Sequence, residues 1–331
     1  SSGNLYIARL NSSLTNLLQS TFLGGYAYST SIAFDPVSGD VYLAGTTTSS
    51  SFPGTAGGAQ PNFAGGTYDA FISRLNSSLS TLIQSTYLGG SVNAYDTDGA
   101  NEYSAAIAIH PVSRDIFVAG STNATDFPGT TGGAQPRPKS GTKGKQYATY
   151  ISRLNNSLTS LIQSTYLGSQ VGIYDTALAI HPATGEVYVS GSTYFTKLPS
   201  VTGGAQAVLT GDQDAFVSRL DSNLTTIIQS TYLGGSAFDR ASEIAIHPIS
   251  GDIYILGSSS SSNFPGTIGG AKPTFNTDSD SYICHLNSTL TSITQSTFLN
   301  LTYSSGMAIH PVSGDVFFQG IVLALSTTLT R

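Results

Sequence analysis

The segment AIHPVSGDVF, residues 308–317, recurs along this chain of 331 residues. Near copies read AIHPVSRDIF at 108–117, AIHPATGEVY at 179–188 and AIHPISGDIY at 245–254, and a further copy, AFDPVSGDVY at 33–42, has Asp35 where the others have histidine. A residue before proline is biased towards extended or turn-entry conformations, and the glycine that follows suits a tight hairpin turn. The segment therefore predicts a β-hairpin that the chain uses five times.

Working outward from this hairpin, four segments recur in a fixed order with a period of about 65 to 80 residues. Each is a short run of β-forming residues bounded by turn residues, which is typical of a strand. We call them A, B, C and D, and the quoted hairpin is C followed by D. Segment A occupies 4–15, 69–80, 148–159, 214–225 and 280–291; B occupies 17–25, 82–90, 161–169, 227–235 and 293–301; C occupies 31–36, 106–111, 177–182, 243–248 and 307–311; D occupies 40–48, 115–123, 186–194, 252–260 and 315–320.

The repeat predicts an all-β fold, a β-propeller built from five four-stranded repeats in one domain, 1–331. Approximate repeat bounds are 1–66, 67–145, 146–211, 212–277 and 278–320. A solenoid is the structural alternative, but the long variable loops between D and A favour the propeller. Small residues in C suit the centre of a propeller, so the expected strand order from the inside outward is C, D, A, B.

Residues 321–331 follow the fifth set of segments and belong to none of the five repeats. IVLALSTTLT (321–330) aligns without gaps to FISRLNSSLT (71–80), which predicts an extra terminal A strand. Because strand A1 at the N-terminus and this strand would compete for one place, one hypothesis is that a terminal strand pairs with a neighbouring molecule. The alternatives are that 321–331 is a frayed end, or that the sequence is a piece of a longer propeller. The candidate subunit-interface residues are Leu5, Ile7, Ile321, Val322, Leu323 and Leu325.

Several motifs resemble the SBBP-type β-propeller repeat family of bacteria and archaea. The motifs are QSTYLGG, DAFISRLN and the FPGT…GGAQP loop, and the resemblance covers nearly the whole chain. It implies a secreted or surface-attached protein, often found beside adhesion modules, with no catalytic residues to carry over. The family is described as seven-bladed and commonly has aspartate in the C–D turn. This chain departs from it in having five repeats and in keeping only Asp35 at that position.

Composition limits the function. The net charge of -6 provides no basic surface for nucleic acid. No apolar run approaches the roughly 20 residues of a membrane helix. The opening SSGNLYIARL already predicts a strand, which is compatible with an earlier removal of a leader. Cys284 is the one cysteine, so no disulfide forms within the chain. The serines lack a G-x-S-x-G context, and the four histidines of the C–D turns would point from different blades rather than converge on a metal.

Two kinds of modification or ligand site remain as hypotheses. Seven asparagines begin N-x-S/T sequons and are glycosylation candidates: Asn11, Asn76, Asn123, Asn155, Asn223, Asn287 and Asn300. Calcium is a weaker hypothesis at two alternating acidic pairs, Asp212 with Asp214 and Asp278 with Asp280; no other cofactor is expected.

The sequence thus predicts a non-catalytic extracellular structural or adhesive propeller that assembles into a filament or surface layer by exchanging terminal strands. Its partners would be other copies of itself, head to tail, with glycans or surface proteins as further partners. The alternative is a monomeric glycan- or protein-binding propeller, and a propeller hydrolase is a remote third.

Overall fold

The computed structural model describes residues 4–93, 99–139, 147–168, 176–275, 279–301 and 303–321. These residues form nineteen strands and no helix, in five antiparallel sheets. No described segment is a helix long and apolar enough to cross a membrane. The chain is therefore an all-β protein, and its repeated four-stranded sheets make it a β-propeller, as the sequence predicts.

Each complete blade contains segments C and D of one repeat followed by A and B of the next, in the predicted order C, D, A, B. Blade 1 is part of a five-stranded sheet formed by β1 (Asn4–Leu10), β2 (Leu17–Phe34), β3 (Val41–Thr47), β4 (Asp69–Leu75) and β5 (Leu82–Leu88). Blade 2 is β6 (Glu102–Ile109), β7 (Ile116–Thr122), β8 (Ala148–Leu154) and β9 (Leu161–Leu167). Blade 3 is β10 (Ala177–Ile180), β11 (Val187–Thr193), β12 (Asp214–Leu220) and β13 (Ile227–Leu233). Blade 4 is β14 (Asp239–Ile246), β15 (Ile253–Ser259), β16 (Asp280–Leu286) and β17 (Ile293–Phe298).

Two half-blades remain at the ends. At the start, β1 pairs with the first part of β2, and we call residues 4–26 the N-terminal hairpin. At the end, β18 (Tyr303–Ile309) and β19 (Val316–Ile321) form a two-stranded sheet, the C-terminal hairpin. Five sequence repeats thus give four complete blades, an A–B half and a C–D half.

The described strands show where the surplus segment begins. Ile321, predicted to open the extra A strand, is instead the last residue of β19 and pairs with Tyr303. The rest of the predicted surplus strand, 322–331, lies outside the described residues. At the other end, β2 runs from segment B1 into C1 without a break, so the N-terminal hairpin and blade 1 share one strand.

The apolar core lies between consecutive blades. One cluster joins Tyr42 and Ile72 of blade 1 to Ile116, Val118 and Tyr150 of blade 2, all of them fully buried. Apolar side chains on the facing surfaces of neighbouring sheets supply most of the stabilising burial in such a fold. Each blade therefore depends on a neighbour on either side, and a half-blade has exposed apolar surface.

Candidate assembly interface

Apolar side chains that are buried in complete blades are exposed at the two ends of the molecule. Leu14, in the turn of the N-terminal hairpin, is 75% exposed, whereas its equivalents Leu79, Leu158, Leu224 and Leu290 are 0–3% exposed. Phe318 of β19 is 46% exposed, whereas its equivalents Leu43, Val118, Val189 and Ile255 are 0–3% exposed. The same contrast holds for Tyr6, Leu10, Phe22 and Phe317. Large exposed apolar surfaces of this kind mark interaction sites.

Not every exposed apolar residue at the ends shows this contrast. Leu18, on the same hairpin as Leu14, is 49% exposed, but its equivalents Ile83, Ile162 and Ile228 are also 39–47% exposed. A residue that is exposed only at an end of the molecule therefore lacks a neighbouring blade, whereas a residue whose equivalents are all exposed faces solvent in every blade.

A main-chain hydrogen bond joins each blade to the next at the A–B turn. Ala59 N donates to Leu158 O, Ala134 N to Leu224 O and Ala205 N to Leu290 O, each at 2.9 Å. The acceptor leucine always has a positive φ near 59°. Ala271 is the next donor in this series, and among the described residues its N–H has no such acceptor. Leu14 has the same backbone conformation, with φ of 58°, and its carbonyl has no such donor.

In blades 1 to 3 an arginine of segment A pairs with the acid that begins segment D, and in blade 4 His285 takes this place beside Asp252 at 3.1 Å. Arg74 bonds Asp40 at 2.6 Å, Arg153 bonds Asp115 at 2.6 Å and Arg219 bonds Glu186 at 2.7 Å. The equivalent arginine of the N-terminal hairpin, Arg9, contacts Ser77 O of blade 1 at 3.1 Å. Within the described residues it has no acid beside it. The equivalent acid of the C-terminal hairpin, Asp315, has no arginine beside it there.

The C–D turn contacts the following blade through the residue that precedes proline. A methyl group on Gly185 would lie 2.3 Å from His110 Nε2, and the same holds for Gly251 with His181 and for Gly314 with His247. The first junction differs in both partners at once, because Asp35 replaces histidine and forms an ion pair with Arg114.

Two members of that series have no such neighbour in the part of the chain that the structure describes. No histidine ring lies within 4 Å of a methyl group placed on Gly39, the turn glycine of blade 1. His310, in the C-terminal hairpin, has no described blade after it.

The C–D histidines act as turn residues, as predicted. His110 Nδ1 accepts from the N–H groups of Val112 and Ser113, and Asp35 Oδ1 accepts from the equivalent N–H groups of Val37 and Ser38. Among the described residues no three His, Cys, Asp or Glu side chains are grouped so as to hold a metal ion.

A cleft lies at each end. One of about 460 Å³ is lined by Ile7, Arg9 and Leu10 of β1 together with Phe34, Gly39 and Leu79. The other, of about 510 Å³, is lined by Ala271, His285 and Phe298 of blade 4 together with Val316 and Phe318 of β19. The first lies beside β1, an A strand, and the second lies beside β19, a D strand; each of these strands pairs with one other strand among the described residues.

The predicted interface residues have different positions. Ile7 packs into the chain's own core against Leu23, Val41 and Leu75, so its side chain is not free for a partner. Leu5 is half-buried beside the same core, and Ile321 is 60% exposed at the end of β19. Val322, Leu323 and Leu325 lie outside the described residues. The sequence argument missed Leu14, Arg9, Asp315 and His310, although comparing each repeat with its siblings would have found them.

The sequon asparagines are used as turn residues. Asn76 Oδ1 accepts from Ser80 N at 2.9 Å and Thr81 N at 3.2 Å, and its Nδ2 donates to Ser80 Oγ. The same pattern holds at Asn11, Asn155 and Asn287. Asp221 caps the corresponding turn in repeat 4.

The other three sequons are placed differently. Asn123 is buried and accepts from Asn101 N, which is not the exposed position that glycosylation requires. Asn223 is exposed, and its Oδ1 accepts from Arg153 Nη1 of the preceding blade at 2.8 Å. Asn300 is exposed with a positive φ of 57°.

The residues of the acidic pairs suggested for calcium differ in burial. Asp212 is exposed whereas Asp214 is fully buried, and Asp278 lies outside the described residues. Asp280 is buried near Lys272 Nζ, which lies 3.8 Å from its Oδ2. Cys284, in the position that serine occupies in the other blades, is fully buried, and burial raises its pKa to about 12, so its thiol stays protonated at neutral pH.

No protein-family model and no curated protein sequence matches the chain. Among solved structures it is similar to Sqt1 of Chaetomium thermophilum, with 11% identity over 96% of this chain and 62% of that chain and a TM-score of 0.47. It is also similar to the β-propeller domain of the Trilobed protease of Pyrococcus furiosus, with 10% identity over 84% of this chain and 58% of that chain and a TM-score of 0.38.

A third similar structure is a GH43 β-1,3-galactosidase, with 9% identity over 87% of this chain and 83% of that chain and a TM-score of 0.41. The chain spans about three fifths of the length of the first two structures. The β-propeller assignment rests on the chain's own sheets and strand order.

Proposed function

We propose that this protein is a non-catalytic structural propeller whose copies join head to tail, with the N-terminal hairpin of one copy completing the C-terminal hairpin of the next. The observation that carries the proposal is that the two half-blades are complementary. One presents strands A and B without C and D, and the other presents C and D without A and B. Together they have the strands of one complete blade.

The register of that blade follows from the complete blades. In blade 1, Val41 pairs with Leu75 and Tyr42 pairs with Arg74. The same register places Val316 opposite Leu10, and Phe317 opposite Arg9, of the neighbouring copy. β1 and β19 each pair with one strand among the described residues, so both edges are available for main-chain hydrogen bonds.

In that blade, three further groups gain the partners that their equivalents have in the complete blades. Arg9 reaches Asp315, the carbonyl of Leu14 accepts from Ala271 N, and the ring of His310 lies against Gly39 of the next copy. Each is the next member of a series that the complete blades already contain. A junction that satisfies a main-chain bond, an ion pair and a turn contact at once supports a specific joint rather than non-specific adhesion.

The N-terminal hairpin fits this place better than the predicted surplus strand does. In the alignment of 321–330 with 71–80, Ala324 stands where segment A normally has arginine, so that segment has no partner for Asp315. The hairpin has Arg9 at that position. It also has the A–B turn, already in the conformation that Ala271 requires.

The joint uses a different surface on each partner. Such heterologous contacts build open filaments unless the rotation closes a ring. With the resemblance to SBBP repeats, this supports the further proposal that the protein acts outside the cell or at its surface, in a filament or layer. Glycosylation at the exposed A–B turns and adhesion to glycans or surface proteins remain part of that proposal.

Negative-stain microscopy and analytical ultracentrifugation of the full chain test the proposal, with deletions of residues 1–25 and 322–331. We expect polymers from the full chain and from the 322–331 deletion, and none from the 1–25 deletion. The variant Arg9→Glu, which keeps the hairpin, should also assemble poorly. A monodisperse monomer, or unchanged assembly after deletion of 1–25, would overturn the proposal, and a monomer that binds a glycan array would favour the binding-module alternative.

A further inference from the structure

Two pairs of fully buried carboxylates each converge on one glycine. Asp69 begins segment A of blade 1, and Glu102 begins strand β6 of blade 2, which contains segment C. A methyl group placed on Gly89 would lie 2.8 Å from Asp69 Oδ1 and 2.7 Å from Glu102 Oε2. Both of these oxygens are buried and have no hydrogen-bond partner. The two carboxylates therefore face the same small space, which the absence of a side chain at Gly89 leaves open.

The second pair repeats this geometry between blades 3 and 4. A methyl group on Gly234 would lie 2.6 Å from Asp214 Oδ1 and 2.8 Å from Asp239 Oδ2. Here the two oxygens that face Gly234 have donors: Asp214 Oδ1 accepts from Gly211 N at 3.2 Å, and Asp239 Oδ2 accepts from Gly235 N and Ser261 Oγ. Asp239 Oδ1, on the same carboxylate, is buried without a hydrogen-bond partner. Burial raises the pKa of Asp69 to about 7 and that of Asp239 to about 6, because the charged form loses its hydration.

One residue of the D–A loop lies beside these carboxylates, and its type differs between junctions with the number of carboxylates at the junction. The D–A loop has a glutamine beside each of the two pairs, namely Gln60 and Gln206. It also has a glutamine, Gln135, beside Ala148, where segment A begins without an acid. Beside Asp280 the loop has Lys272 instead. The positions that match Glu102 and Asp239, nine residues before the end of segment C, are occupied in the sequence by Ile173 and Thr302.

The four junctions thus follow one charge rule. A junction with one carboxylate has one lysine, a junction without a segment-A carboxylate has a neutral glutamine, and the two junctions with a carboxylate pair have no cationic side chain in that loop position. Buried charges need a compensating charge, and a pair of carboxylates is balanced by a divalent cation. We propose that Asp69 with Glu102, and Asp214 with Asp239, each hold one divalent cation of the calcium class.

The ligand chemistry agrees with a hard cation. Calcium is bound by carboxylate oxygens together with amide and main-chain carbonyl oxygens. Gln60 Oε1 accepts from Gly89 N, and Gln206 Oε1 accepts from Gly234 N, both at 3.1 Å, so an amide oxygen lies at the same glycine in both sites. Because each pair joins the A segment of one blade to the C segment of the next, the cation fastens consecutive blades. This inference is independent of the proposed assembly.

Calcium bound per chain tests it directly. The full chain is stripped with a chelator, dialysed against calcium, and analysed for metal by mass spectrometry. We expect two calcium ions per chain, one in the double variant Asp69→Asn/Glu102→Gln, and one in Asp214→Asn/Asp239→Asn. The matched control Asp280→Asn should keep two, because lysine already balances that carboxylate.

Thermal unfolding with and without calcium gives a second readout. The full chain should unfold at a higher temperature with calcium, and a variant with both pairs neutralised should show no calcium-dependent shift even where it is stable. Absence of bound calcium in the full chain at millimolar concentration, or loss of calcium in Asp280→Asn, would overturn the inference. The first result would mean that the pairs share protons instead.

Discussion

Truncation of Leu14 to alanine should weaken assembly without weakening the fold of the single chain. The side chain is 75% exposed in the isolated chain, so its loss should change the free energy of unfolding by less than about 0.5 kcal/mol. In the joint it would be as buried as Leu158 or Leu224. Removing a leucine side chain from such a site costs about 2–5 kcal/mol, and about 3 kcal/mol corresponds to a roughly hundredfold weaker association.

The assay is the critical concentration for polymer formation, measured by sedimentation. Leu18→Ala is the matched control, because Leu18 is an exposed leucine on the same hairpin whose equivalents are exposed in every blade. We expect the critical concentration to rise on the order of a hundredfold for Leu14→Ala and to stay within about twofold for Leu18→Ala. Equal effects of the two substitutions would refute the argument that burial in sibling repeats identifies the joint.

Other predictions concern charge and packing. Arg9→Asp and Asp315→Arg should each suppress polymers, and the chain with both substitutions should recover them in sedimentation, because the ion pair is restored with reversed sign. Leu158→Ala should lower the free energy of unfolding by about 2–5 kcal/mol in a denaturant titration, since this leucine is buried between blades within one chain. Gly45→Ala should destabilise the chain by about 3 kcal/mol, because its methyl group would lie 2.1 Å from a carbonyl oxygen, whereas Gly24→Ala, with no atom within 4 Å, should be neutral. A stable Gly45→Ala variant would count against the blade packing described above.

The sequence predicted the blades because strand signals and turn residues are local. Alternation, the V-S-G-D turn and the fixed order of segments depend on near neighbours, so the sequence alone predicts the order C, D, A, B. The role of His110 as a turn residue could also be derived, because Asp35 fills the same position and both accept main-chain hydrogen bonds two and three residues ahead.

Contacts between side chains of different blades could not be predicted from such local signals. Glu102 and Asp69 are separated by 33 positions and belong to different sheets, so the sequence alone suggested the local pair Asp212 and Asp214 instead. Ile7 was assigned to the interface because it lies in a terminal strand, but the alternation of the strand turns its side chain towards Leu23 and Val41. Which side chains of a terminal hairpin remain exposed depends on tertiary packing. In the structure Leu14, in the turn of the hairpin, is exposed, whereas Ile7 is buried.

A disulfide between two copies would form only if the hairpin of one copy completes the blade of the other. In a Cys284→Ser background, which restores the serine of the other blades, Leu14→Cys and Ala271→Cys are made in separate chains. After mixing and mild oxidation, we expect a covalent dimer that contains one chain of each kind, and no dimer from either chain with a Leu18→Cys partner.

A disulfide that forms only when both cysteines are in one chain, leaving a covalent monomer, would contradict the account. That result would mean that the hairpin closes its own propeller rather than the propeller of a neighbour.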